Sequence, residues 1–155
     1  MKGNAKVIEA LNSLLADELT AVNQYILHGE ICENWGYKKL HELARKRAID
    51  EMKHAEKLMA RILFLEGAPT VSVLRKMSIS MKIAEQFKND RGLEVDAVQG
   101  YNDAIALCNR VGDGATRELL EHILMDEDRH VNEIEEKQDQ LRQMGEGIFL
   151  SEQTD

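Results

Sequence analysis

Six residues carry the chemistry legible in this sequence: Glu18, Glu51 and His54 in the first half, Glu94, Glu127 and His130 in the second. Glu51 and His54 stand three residues apart in DEMKH, and Glu127 and His130 repeat that interval in DEDRH. On a helix this interval sets both side chains on one face. A single Glu-x-x-His is usually a solvated surface pair. Here the pair occurs twice, and each copy follows a lone glutamate 33 residues upstream (51 − 18 and 127 − 94). Brought together inside a protein, four carboxylates would repel one another and lose hydration, which raises their pKa values. Two divalent cations would balance the four negative charges. Carboxylate with imidazole suits iron or manganese better than metals that prefer sulfur.

The elements that must position these groups show in the apolar spacing. Stripes stepping by threes and fours run through Val7, Leu11, Leu14, Glu18, Val22 and Tyr25, and through Leu40, Ala44, Arg47, Glu51, His54, Leu58, Ile62 and Leu65. Two more run through Ile83, Phe87, Asp90, Glu94, Ala97, Tyr101, Ile105 and Cys108, and through Thr116, Leu119, Ile123, Glu127, His130, Ile134 and Leu141. Breaks at Trp35-Gly36, Gly67-Ala68-Pro69 and Val111-Gly112-Asp113-Gly114 separate them. The pattern predicts an all-α, antiparallel four-helix bundle in a single domain, 1–155. Hairpin 1 spans about 5–66, hairpin 2 about 82–144, and a short C-terminal helix or tail about 145–155. The segment of about 67–81 has no helical period. Its core, GAPTVSVLRKMSIS, has 14 residues, which extended can span about 45–50 Å. A 28-residue helix is about 42 Å long, so the segment can run the length of the bundle as a long crossover between helices 2 and 3. That connectivity is ferritin-like.

An internal repeat relates the two hairpins. At an offset of 76, residues 18–54 fall on 94–130 with 11 identities in 37 positions. Besides the six candidate ligands, Ala21/Ala97, Tyr25/Tyr101, Cys32/Cys108, Gly36/Gly112 and Asp50/Asp126 are among the matched residues. In an antiparallel hairpin, residues equidistant from the turn lie level. The midpoints 34.5 (of 18 and 51) and 110.5 (of 94 and 127) fall at the two turns, so all six groups meet at one height in the core. Tyr25 and Tyr101 lie two turns beyond Glu18 and Glu94. Each either hydrogen-bonds a ligand carboxylate or packs as a core tyrosine. Asp50 and Asp126 read as acids beside the ligands or on the surface, and His28, His41 and His122 as surface or subunit-contact residues. Met52 is rotated about 100° from Glu51, off the metal face, and its repeat mate is Asp128.

The formal net charge of −8 argues against nucleic acid as a partner and favours cations. No stretch reaches the roughly 20 apolar residues of a membrane span, and acidic residues follow the N-terminus too early for a secretory signal. Cys32 and Cys108 form no paired motif. They read as buried small residues of a reduced, cytoplasmic protein.

The chain resembles the bacterioferritins, most clearly in ELTAVNQY (18–25), DEMKHAEKLMARILFLEGAP (50–69) and DEDRH (126–130). The resemblance implies a ferroxidase that oxidises Fe(II) with O2 or H2O2 and stores ferric mineral. Glu18 and Glu94 would be terminal ligands of the di-iron site, Glu51 and Glu127 bridging ligands, and His54 and His130 ligands of one iron each. It also implies a homo-oligomeric shell of 24 subunits built from two-fold dimers. Each dimer would share one b-type haem held by Met52 of both subunits, with a ferredoxin-like reductant aiding iron release. On spacing alone, Met52 reads as an ordinary gap-filling interface residue, and its haem role rests on the resemblance. The alternatives are a haem-free ferritin and a small di-iron oxidase or peroxidase. Two departures from the family stand out. Lys46 replaces a common histidine of an inner-surface iron site, within the basic run Arg45-Lys46-Arg47, and Glu133 replaces a common tryptophan. A charged lysine cannot ligate iron.

Overall fold

Asn4 starts the first helix: its side-chain oxygen accepts from the Lys6 and Val7 amides, which have no partner within the helix. The computed structural model describes residues 1–155. Its elements are α1 (Ala5–Asn34), α2 (Lys38–Phe64), α3 (Ile83–Val111), α4 (Gly114–Met144) and the short α5 (Glu146–Ser151). α1 packs on α2 and α3 on α4 as two antiparallel hairpins, which meet α1 to α3 and α2 to α4.

The two hairpin turns are built alike. Gly36 (φ 81°) and Gly112 (φ 76°) occupy the left-handed region, which a side chain would strain. The next amide then reaches back into the helix just ended: Tyr37 N donates to Cys32 O and Asp113 N to Cys108 O, both at 2.9 Å. The glycines and the cysteines are repeat mates, so the repeat extends to the backbone that closes each hairpin. Asp113 also opens α4, its carboxylate accepting from the Thr116 amide (3.0 Å) and hydroxyl (2.6 Å). Arg61, near the end of α2, donates to the same Thr116 hydroxyl at 2.9 Å.

The crossover lies extended along α1, held by a row of α1 side chains. Asn12 Oδ1 accepts from the Thr70 amide (2.8 Å), Thr20 Oγ1 from Arg75 (2.8 Å), Gln24 Oε1 from Ser78 (3.1 Å) and His28 Nε2 from Ser80 (3.2 Å). An extended segment outside a sheet must find partners for its amides, and α1 supplies them at every turn or two. His28 is accordingly buried, not on the surface as the sequence suggested: its Nδ1 lies 2.8 Å from the buried Asp90 of α3. His41 is half-buried against Gly29 O, and only His122 is fully exposed among these three.

Of the stripe positions, Val22, Ile105, Leu119 and Leu141 are half-buried and the rest are buried. The apolar core falls into two main clusters. One, built on Leu11, Leu15, Leu58, Ile62, Leu120 and Ile123, fills the end near the α3–α4 turn. The other joins Cys32, Leu40, Ile83, Phe87 and Ile134 to Phe149 of α5, which meets Phe87 edge-on at 5.9 Å. Between these clusters the core turns polar.

Candidate metal centre

All six candidate residues meet in that polar layer. Each is buried to 2% exposure or less. Glu18 comes from α1, Glu51 and His54 from α2, Glu94 from α3, and Glu127 and His130 from α4. Their donor atoms form two overlapping groups, each within 4.8 Å: Glu18, Glu51, His54 and Glu127, and Glu51, Glu94, Glu127 and His130. Glu51 and Glu127 belong to both groups. The two imidazole centroids are 6.3 Å apart.

The imidazoles face the centre through Nδ1. His54 Nδ1 lies 2.8 Å from Glu127, 3.3 Å from Glu51 and 3.5 Å from Glu18. His130 Nδ1 lies 3.2 Å from Glu51 and 3.3 Å from Glu94. Despite these approaches, both Nδ1 atoms lack a hydrogen bond, as do Glu18 Oε2, Glu51 Oε1, Glu94 Oε2 and both oxygens of Glu127. Seven orphaned polar atoms in one buried layer would be costly in a finished core. They are the donor atoms that two bound cations would satisfy.

The outer atoms of the two histidines and of Glu18 and Glu94 are engaged, and each of these bonds crosses between hairpins. His54 Nε2 meets Asp126 at 2.8 Å, and His130 Nε2 meets Asp50 at 3.0 Å. Tyr101 donates to Glu18 at 2.6 Å, and Tyr25 donates to Glu94. Of the two readings of the tyrosines, hydrogen bonding to the candidate ligands is the one the structure displays, with the partners exchanged: each tyrosine serves the glutamate of the other hairpin. Asp50 and Asp126 orient the histidines in the manner of acids behind metal ligands.

Burial and mutual repulsion set the protonation states of the metal-free centre. Burial, with Glu51 nearby, pushes Glu18 well above the ordinary carboxylate range, and burial with the Glu18, Glu94 and Glu51 charges does the same to Glu127. Burial also pushes Glu51 up, yet the His130 and His54 imidazoles outweigh it and hold this carboxyl at about 2. Burial alone would lower both histidines. The carboxylates around them reverse that, taking His54 to about 11 and His130 to about 10. Burial pushes both tyrosines up, so they stay protonated donors.

Three basic residues near the centre were not foreseen in their roles. Arg47 is buried, as its place in the α2 stripe predicts, and its guanidinium lies 5.1 Å from the ring centre of Tyr25. Arg129 lies across the α2/α4 face, 3.5 Å from Asp50 and 3.6 Å from Asp126, and bonds Glu133 at 2.9 Å. One guanidinium thus touches both acids that hold the histidines; its repeat mate Lys53 gave no sign of this. Arg75, in the aperiodic crossover, bonds Asp17 at 2.9 Å. On that side a cavity of about 270 Å³ reaches Glu18, Glu51 and Glu94. Met52 points away from the centre and is 47% exposed.

Comparison with known proteins agrees with this geometry. The ferritin-like domain matches residues 8–144. A bacterioferritin of Brucella melitensis is 39% identical over 94% of this chain and 91% of its own length. One of Rhodobacter capsulatus is 42% identical over 87% of this chain and 84% of its own. The chain is also similar to a solved R. capsulatus bacterioferritin structure, which has a metal-free dinuclear site and haem iron in a crystallographic special position. That match has a TM-score of 0.98 at 38% identity and covers 100% of this chain and 97% of the other. The chain belongs to the ferritin-like family and, within it, to the bacterioferritins.

Proposed function

We propose that this chain is the subunit of a haem-containing iron-storage shell, and that its buried layer is a ferroxidase centre taking two Fe(II) as substrate. The observation that carries this reading is the set of seven unpartnered atoms on two overlapping four-residue groups. Glu18 and His54 hold one ion, Glu94 and His130 the other, and Glu51 and Glu127 bridge them. Four carboxylates match the charge of two ferrous ions. Bound there, each Fe(II) gives up one electron to O2 or H2O2. The protein's part is positional: Tyr101 and Tyr25 fix the terminal glutamates, while Asp126 and Asp50 direct each Nδ1 inward. The four helices hold both positions before iron arrives, which lowers the cost of ordering the ligands.

Met52 is a half-exposed thioether about 100° around α2 from Glu51, with no like residue at its repeat position. Two copies related by a two-fold axis would present two such sulfurs to one b-type haem. The haem iron of the R. capsulatus protein occupies a special position, which suits sharing between identical subunits. The shell is taken as a 24-mer of such dimers, with a ferredoxin-like donor for iron release. No helix is long and apolar enough to cross a membrane. Both cysteines are free and buried, which fits the reducing cytoplasm.

Stopped-flow oxidation of Fe(II) tests the assignment. Glu51→Ala removes a bridging ligand and should slow the fast phase by at least about tenfold. Met52→Ala should keep the fast phase and lose haem absorbance. A Glu51→Ala variant oxidising iron at the parent rate would refute the centre.

A further inference from the structure

The centre is reached differently from its two faces. On the α2/α4 face, Asp50 and Asp126 are committed to the histidines and Arg129 lies across both. On the face that carries the crossover, the cavity descends to Glu18, Glu51 and Glu94, between α1 and α3. Two small repeat mates, Ala21 and Ala97, line it and leave the space open. Buried, unpartnered oxygens of all three glutamates belong to its lining residues. At its lip stand Asp17 and Asp96, one from each of the same helices, facing Arg75 and Lys76 of the crossover.

Arg75 holds that lip. Its Nε donates to Asp17 at 2.9 Å, and its Nη2 to the Ser13 hydroxyl (2.7 Å) and carbonyl (3.2 Å). The side chain is about half exposed, while its backbone amide is fastened to Thr20. The guanidinium can therefore swing into solvent without the crossover leaving α1.

We propose that Asp17 and Asp96 form a transit site for a divalent cation at the mouth of this cavity, and that Arg75 is the latch competing with the cation for Asp17. This rests on the reading of the buried layer as a di-metal centre. A cation arriving at the lip would displace the guanidinium from Asp17, bind both aspartates, and pass to the free oxygens of Glu18 and Glu94 below. Attraction by the aspartates raises the arrival rate, and the Arg75 and Lys76 charges oppose it, Arg75 alone by bonding Asp17. Neither group touches a metal once it is seated, so the site sets rate and not final occupancy.

Stopped-flow binding of Co(II) to the assembled protein, read at its visible d–d bands, separates the two. The double variant Asp17→Asn/Asp96→Asn should lower the association rate by about tenfold and flatten its salt dependence, while equilibrium loading stays at the parent level. Arg75→Gln should bind faster than the parent, and Arg75→Lys should restore the slower rate. A parent rate in the double variant overturns the transit site, and a parent rate in Arg75→Gln overturns the latch. Faster binding in Arg129→Gln with no change in the double variant would overturn the proposal by placing the route on the α2/α4 face. Failure of the parent protein itself to take up two Co(II) per chain would instead sink the di-metal reading.

Discussion

At the scale of single residues, the metal-free centre is a store of protons. His54 and His130 are held up at about 11 and about 10 by the carboxylates around them, so at neutral pH each carries a proton on the Nδ1 that must face a metal. Glu18 and Glu127 are also pushed upward. A cation must displace these protons, and both sides of that exchange have the same sign: lowering pH favours the protons and weakens metal binding. Zinc titrated into weakly buffered protein near pH 7 should therefore acidify the solution, and its affinity should fall steadily from pH 8 to pH 6. His54→Ala should release fewer protons per chain. A pH-independent affinity would remove the protonated imidazoles from the picture. The raised histidines also stabilise the metal-free fold: that contribution is complete below their unfolded value and lost as pH rises through about 10 to 11.

At the scale of elements, Asp113 joins two helices by opposite ends of one residue: its amide closes α3 and its carboxylate opens α4. Burial pushes that carboxyl up, but the Thr116 bonds and Arg61 outweigh it and hold it below its ordinary value. Its contribution is thus present above the usual carboxylate range and fades as pH falls. Asp113→Ala should cost about 1–2 kcal/mol by chemical denaturation at neutral pH, and the difference should shrink in acid. Much of this layer of structure was legible in advance. Helix stripes, the glycine breaks and an aperiodic stretch of the right reach already describe two hairpins and a crossover. The fastening of the crossover was not legible. Asn12, Thr20, Gln24 and His28 lie along one side of α1, but their partners are backbone amides of an irregular segment, and backbone groups leave no mark in sequence. His28 looked like a surface histidine for that reason, since Asp90 and Ser80 are 62 and 52 residues away.

At the scale of the whole molecule, spacing along a helix gives the height of a side chain but not which neighbour it meets. The six candidate ligands could be gathered from spacing because a level is all they needed. Tyr25 and Tyr101 needed a direction, and both turned to the opposite hairpin. Assembly is beyond one chain's stripes for the same reason; the proposed haem would place a second copy at Met52, which is exposed on α2. Size-exclusion chromatography with visible spectra checks that level: the protein should run at shell size with a low-spin haem band near one haem per two chains. A small colourless oligomer would contradict it. The crossed bonds have a further consequence. Each of the two four-residue groups draws on both hairpins, and each tyrosine and aspartate bonds a candidate ligand across the divide. Half of this chain is therefore not half of a centre. Cut free at the crossover, a hairpin keeps ligands but loses every residue that steadies them, and it can regain those only by finding another hairpin to interlock with.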